Sequence, residues 1–204
     1  MKPVSDSRLI QQLSPPQKGV FSLADLQSAL SDPHRASMYR RLDRLEESGD
    51  LRRFTRGIYV AEDFDLATLS QRVSPGSTIS FEYVLARSLV IGPKPRHGVS
   101  ALREGRGATF EGCGVRLDYH HVGEKLRFGE VSGDGVRTTD PEKAILDVLY
   151  FHLRGRKALM DIYSDVNLQR LDHKKLDRYL SHYSNSKFVA FARDLLLVAE
   201  GDRP

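Results

Sequence analysis

The stretch Ser22-Leu23-Ala24-Asp25-Leu26-Gln27-Ser28-Ala29-Leu30-Ser31-Asp32-Pro33-His34-Arg35-Ala36-Ser37-Met38-Tyr39-Arg40-Arg41-Leu42-Asp43-Arg44-Leu45-Glu46-Glu47-Ser48-Gly49-Asp50-Leu51-Arg52-Arg53-Phe54-Thr55-Arg56-Gly57-Ile58-Tyr59-Val60 decides the fold. Ser22 followed by Asp25 is a capping-box variant: the hydroxyl accepts from a first-turn N–H, and the carboxylate sits at the positive helix end. Leu23, Leu26 and Leu30 then recur at helical spacing. Ser31-Asp32-Pro33 ends that helix and starts another, with Asp32 as N-cap and Pro33 at the first helical position, where its missing N–H costs nothing. In the second helix Met38, Leu42 and Leu45 form an apolar stripe, and the opposite face carries Ala36, Arg40, Asp43 and Glu47, flanked by Ser37 and Arg44. Arg35 and Tyr39 lie on the other shoulder. Gly49 can take the left-handed conformation that ends a helix. Leu51 to Phe54 and Ile58 to Val60 read as strands joined through Thr55-Arg56-Gly57. Helix, short turn, helix, two-stranded ribbon is the order of parts in a winged helix-turn-helix, which points to duplex DNA.

The charges agree with that reading. Residues 33–58 hold seven Arg, no Lys and four acids, so this stretch supplies +3 of the whole chain's +4. A guanidinium fork fits phosphate and the O6/N7 edge of guanine, whereas lysine serves a merely solvated face equally well. With the apolar stripe inward, the N-terminal half of the second helix is expected in the major groove, Arg35, Ser37 and Arg40 nearest base edges, Tyr39 beside them, and Arg44 nearer the backbone. Arg52, Arg53 and Arg56 of the wing would grip phosphate or the adjacent minor groove. The competing reading has these arginines paired with Asp43, Glu46 and Glu47 at i, i+3 and i+4 on the helix surface.

Outward from this core, Arg8-Leu9-Ile10 and Leu13 predict a first helix ended by Ser14-Pro15-Pro16, and Val20-Phe21 a short strand beside the wing. A winged helix-turn-helix domain is thus expected over 1–62. A connecting helix and linker follow over 63–79, with Phe64, Leu66, Leu69 and Val73 at helical spacing and a break at Ser74-Pro75-Gly76-Ser77. Residues 80–204 are expected to form a C-terminal α+β domain. It would hold a short helix from Ser80 to Leu89, a rigid turn at Gly92-Pro93-Lys94-Pro95, and a small antiparallel sheet from Ala108 to Glu111, Val115 to Val122 and Arg127 to Val131. Val136 to Thr139 runs as a strand into a well-capped helix at Thr139-Asp140-Pro141-Glu142, burying Ala144, Ile145, Val148 and Leu149. Every residue there has an architectural reason to be present. Helices from Asp172 to His182 and Lys187 to Glu200 close the chain. Lys174, Lys175 and Arg178 are read as an outward basic patch, able to hold a second nucleic-acid contact.

At 204 residues the chain suits two domains, each able to bury a core. A single cysteine, Cys113, excludes an internal disulfide, and the absence of a signal peptide or bilayer-length apolar run makes a cytoplasmic protein the expectation, with no membrane partner. Catalysis is not expected. Asp118, His120 and His121 share a strand, but 121 faces away from 118 and 120 and no nearby Cys or Glu completes a metal set. Glu124-Lys125 lacks the intervening residue of a nuclease Glu-x-Lys. Gly105-Arg106-Gly107 and Gly133-Asp134-Gly135 open no helix and read as hairpin turns rather than phosphate cradles. No cofactor and no metal are called for.

Three stretches together are similar to the AbiE-type antitoxins, regulators of bacterial type IV toxin–antitoxin systems. They are Gly49 to Val60, Ile79-Ser80-Phe81-Glu82-Tyr83-Val84-Leu85-Ala86, and Thr139-Asp140-Pro141-Glu142-Lys143-Ala144 followed by Leu146-Asp147. The resemblance implies a DNA-binding winged helix that represses its own operon at inverted repeats, and a C-terminal α+β domain that supports antitoxin activity. It also implies a nucleotidyltransferase toxin opposed without a stable complex. The protein is then a monomer or weak dimer on double-stranded operator DNA. A winged-helix transcription factor with a ligand-sensing C-terminal domain, or a nucleic-acid-processing enzyme, are the alternatives.

Overall fold

The structure is a computed structural model and describes residues 5–31, 34–92 and 95–197. The chain divides by its internal contacts into two compact units, one running to Pro75 and including Thr109–Arg116, the other formed by Gly76–Ala108 and the chain from Leu117 onward.

The first unit is built on the capping box foreseen at Ser22. The Ser22 hydroxyl accepts from Asp25 N–H, and the Asp25 carboxylate accepts from Ser22 N–H at 2.8 Å. Helix α2 (Leu23–Leu30) therefore starts where expected. Ahead of it lie α1 (Asp6–Gln17) and β1 (Val20–Ser22); behind it come α3 (Arg35–Glu47), β2 (Arg52–Thr55) and β3 (Ile58–Val60). The three strands form one antiparallel sheet in the order β1-β3-β2. This is the element order of a winged helix-turn-helix. Met38, Leu42 and Leu45 are buried against Ile10, Phe21, Leu26, Leu30, Leu51 and Tyr59. A side chain of that kind contributes about 1.5–3 kcal/mol when fully buried, so the stripe fixes which face of α3 turns outward.

Two expectations shift. Helix α1 does not end at Ser14-Pro15-Pro16 but continues to Gln17. The prolines fall in its last turn, and the carbonyls deprived of their N–H partners belong to the exposed Gln11 and Gln12, where water can reach them. The helix is closed by left-handed Lys18 and Gly19, whose N–H groups bond Pro15 and Ser14 carbonyls. A Cβ on Gly19 would lie 2.0 Å from the Asp63 carbonyl oxygen, so only glycine fits there. The proposed cap of α3 by Asp32 and Pro33 lies outside the described residues; His34 precedes the helix and makes no side-chain cap bond.

Helix α4 (Leu66–Val73), capped by Asp65, occupies the stretch read as a connection and packs on β1 and β3. The unit boundary falls at Pro75 and Gly76, inside that stretch.

The remaining strands, β4 (Thr78–Ile79), β5 (Gly98–Arg103), β6 (Ala108–Gly112), β7 (Val115–His121), β8 (Glu130–Gly133) and β9 (Val136–Thr139), make one sheet in the order β6-β7-β5-β4-β9-β8, of which Thr109–Arg116 is grouped with the first unit. It is larger than the small antiparallel sheet expected, and β4 with β9 is a parallel pair, Ile79 facing Thr138. The two-residue β4 is too short to display an alternating pattern, and a parallel partner arrives only through a long crossover, so neither shows as a hairpin signal. Residues Glu124–Leu126 form a 3-10 turn, which moves the last antiparallel strand from Arg127 to Glu130. Helix α5 (Phe81–Arg87) leaves β4 through Phe81, a buried aromatic at φ 59°. A non-glycine residue held there costs about 1–3 kcal/mol, which the packing of α5 on helix α6 (Pro141–His152) sustains. Helices α7 (His173–Leu180) and α8 (Ser186–Leu197) follow, and both contact α6. The turn residues Pro93 and Lys94 and the helix end at Val198–Glu200 lie outside the described residues.

Candidate nucleic-acid interface

The outward face of α3 is the one the stripe predicts. Ala36, Arg40, Asp43, Arg44 and Glu47 are exposed, Ser37 is half-buried beside them, and Tyr39 packs its ring against the core margin. Arg40 Nε donates to the Ala36 carbonyl at 3.3 Å, which lays the guanidinium along its own helix. The Arg35 side chain lies outside the described residues. None of the acids on α3 pairs with an arginine of the same helix among the described side chains. Arg41 turns the other way: its Nε and Nη2 donate to the two Asp6 oxygens at 2.8 and 2.5 Å, and Nη1 donates to the Leu30 carbonyl at 2.9 Å. It ties α3 to α1 and α2 and so leaves the outward set.

The wing divides its three arginines. Consecutive strand residues project from opposite faces. Arg52 leans toward Phe64, 5.8 Å from the ring centre, and donates to the Glu62 carbonyl at 3.3 Å. Arg53 leans toward Tyr59, 5.4 Å from its ring centre, and Nη2 donates to Glu46 Oε1 at 3.1 Å. Burial pushes the Tyr59 phenol up, against the pull of the Arg53 guanidinium. A register slip at Phe54 opposite Tyr59 and Ile58 turns that ring into the core. Arg56, before Gly57 at φ 77°, is exposed at the tip. The three arginines expected to grip phosphate or the minor groove thus point different ways: Arg53 faces α3, Arg52 faces the chain after β3, and Arg56 stands at the turn. Neither Arg44 nor Arg56 forms an ion pair with any described residue.

The second unit buries several charged groups along α5 and α6. Helix α6 is buried along Glu142 to Leu149, Lys143 and Asp147 included. The Lys143 ammonium pairs with Asp147, donates to the Tyr183 hydroxyl at 3.3 Å, and lies 4.8 Å from the Phe128 ring centre. The other Asp147 oxygen accepts from Ser80 at 2.7 Å, and Ser80 in turn accepts from Thr139 at 3.0 Å. On the far side of α5, buried Glu82 takes both Arg156 nitrogens at 2.8 Å and the Leu159 N–H at 3.2 Å. Burial opposes ionisation of Glu82, but the Arg156 bonds outweigh it and hold the carboxyl below its ordinary range. Lys143 and Asp147 are four residues apart on one helix, but their side chains' other hydrogen-bond partners and those of Glu82 come from segments 40 to 77 residues away.

The expected basic patch on α7 loses its middle member. Lys175 Nζ lies 3.0 Å from Glu142 and 3.1 Å from Asp140, and Tyr179 OH donates to Asp140 at 2.7 Å. Desolvation would lower the Lys175 ammonium, yet the bonds to Glu142 and Asp140 prevail and raise it above the usual lysine range. Lys174 and Arg178 remain exposed. Asp118, His120 and His121 lie on β7, with the His120 ring against Phe81 and Phe151. Among the described residues no group of three His, Cys, Asp or Glu is placed to hold a metal ion, and no helix is long and apolar enough to cross a membrane.

Residues 8–61 match the family model described as a transcriptional regulator, AbiEi antitoxin. The match runs from within α1 to the end of β3 and includes the stretch Gly49 to Val60 that carried part of the resemblance; it supports a DNA-binding regulatory role. The crystal structure of the RV2827C protein from Mycobacterium tuberculosis is similar to the chain at a TM-score of 0.64, with 12% identity over 98% of this chain and 78% of that one, a likeness of fold. No curated protein matches the chain.

Proposed function

We propose that the chain is a transcriptional repressor that places α3 in the major groove of operator DNA and rests its wing on the adjoining backbone. The observation that carries this is the outward face of α3: its apolar stripe is fully committed to the core, while Arg40 and Arg44 on the helix and Arg56 on the turn stay exposed without an ion-pair partner among the described residues. Phosphate neutralisation supplies most of the non-specific affinity of such a surface, and base-edge contacts from the first turns of the helix supply the specificity.

In this reading the protein is the autorepressing antitoxin of a type IV toxin–antitoxin operon, acting on inverted repeats upstream of its own gene. It opposes a nucleotidyltransferase toxin without a lasting complex. Two copies on one inverted repeat give useful occupancy from modest monomer affinity. The test is a gel shift and promoter fusion with the DNA upstream of the gene: a discrete complex weakened by salt, and promoter silencing lost on Arg40→Ala with Arg44→Ala. No retardation at 50 mM salt would end the proposal.

A ligand-sensing second unit has one observation in its favour. A cavity of about 340 Å³, lined by Val84, Arg87, Val136, Thr138 and Asp140, opens at the start of α6. Its size is in the range of small-molecule sites. A metabolite that fills it raises the melting temperature of the whole chain.

A further inference from the structure

We infer that Asp43 selects cytosine in the operator, reading its exocyclic amino group beside a guanine read by Arg40; this rests on the DNA-binding reading of α3. Asp43 lies on the helix face opposite Met38, Leu42 and Leu45, exposed, and no described side chain neutralises it. A carboxylate on a surface that must approach phosphates weakens binding to every duplex unless the groove gives it a donor. Major-groove donors are the amino groups of cytosine and adenine. The adenine donor is flanked by acceptors on both sides, its own N7 and the O4 of the paired thymine, which repel a carboxylate, whereas the cytosine donor has an acceptor, the O6 of its paired guanine, on one side only. Guanine and thymine offer Asp43 acceptors only.

Arg40 lies one turn before Asp43 on the same face. Three residues advance about 4.5 Å along a helix, somewhat more than the roughly 3.4 Å rise of one base pair and less than two, so the two side chains address neighbouring steps of the groove. The Arg40 fork then meets guanine O6 and N7 while Asp43 accepts from the adjacent cytosine. Asp43 stands just past the middle of α3, whereas Glu47 is its last residue, a further turn from the end that enters the groove, so the same argument does not reach it.

The experiment is selection of duplexes from a random-sequence library by the full chain, wild type and variants, with thermal melts to verify folding. Wild type is expected to enrich a half-site with one dominant cytosine next to the position that Arg40→Ala relaxes. Asp43→Ala should lose about ten-fold in discrimination at that cytosine. Its affinity for unselected duplex should rise, since a like charge has been removed; a merely structural role would lower it. Asp43→Asn should tolerate adenine at the same position, because an amide matches N6 and N7. An unchanged half-site for both Asp43 variants overturns the inference while leaving DNA binding intact. Failure of the wild type to bind or enrich any duplex removes the DNA-binding reading itself, and Asp43's role with it.

Discussion

Glu46, in the last turn of α3, accepts a hydrogen bond from Arg53 of the wing at 3.1 Å, and the same guanidinium lies over the Tyr59 ring. One carboxylate therefore links the helix to the ribbon beside it, and competes with phosphate for the arginine it holds. Glu46→Gln is expected to change stability by less than about 1 kcal/mol, because both partners are partly in water. In duplex binding, followed by fluorescence anisotropy across a salt series, the released Arg53 should steepen the log K against log salt slope by about one. A slope identical to wild type would show that Arg53 serves the fold alone.

Arginines of α3 separate by role. Arg41→Ala removes three hydrogen bonds, two of them to Asp6, and should cost about 1.5–3 kcal/mol in urea unfolding. Arg44→Ala and Arg56→Ala, with no such partners, should stay within about 0.5 kcal/mol of wild type. Each should instead reduce the salt slope by about one and weaken all sequences alike. Comparable destabilisation by all three substitutions would contradict this division.

Lys143 and Asp147 are buried together, with Ser80, Thr139 and Tyr183 completing their hydrogen bonds. Breaking such a pair from one side leaves a charge without compensation. Lys143→Met and Asp147→Leu should each cost about 3–5 kcal/mol, and the double change should cost less than the two added together. Chemical denaturation of the four proteins measures this directly. Strict additivity would mean the groups are not coupled.

Glu82 carries a pH signature. Its carboxyl is held below the ordinary range in the folded chain, so its contribution is present in full above the unfolded value and is lost as pH falls through the folded one. Thermal melts of wild type from pH 6 downward should show stability falling below about pH 4.5, the unfolded carboxyl range. Glu82→Gln should flatten that slope while lowering stability at neutral pH, where Arg156 has lost its charged partner. An equal acid slope in both proteins would assign the loss to other groups.

How far the sequence reached depends on how local each signal was. The Ser22 capping box, the stripe of Met38, Leu42 and Leu45, left-handed Gly49 and the Asp140 cap of α6 all act within a few residues, and the structure has each where spacing put it. The prolines of α1 misled because a helix tolerates them in a last turn whose carbonyls face water. At the interface, the outward position of Arg40, Arg44 and Arg56 follows from helical phase and turn geometry alone. The withdrawal of Arg41, the tethering of Arg53 and the engagement of Lys175 do not, since Asp6, Glu46, Asp140 and Glu142 lie outside any local pattern.

By itself, then, the sequence determined most of the helices and the face each of them buries, because hydrophobic period and backbone hydrogen bonding are set by neighbours along the chain. Only the tertiary structure decided which charges remain in water. A guanidinium finds its carboxylate through space, and an arginine seven or thirty-five residues from its partner looks in the sequence like any other. The same holds for the larger sheet: pairing β4 with β9 across the intervening strands is a choice made by the packing of α5 on α6, where Ser80, Lys143 and Asp147 meet.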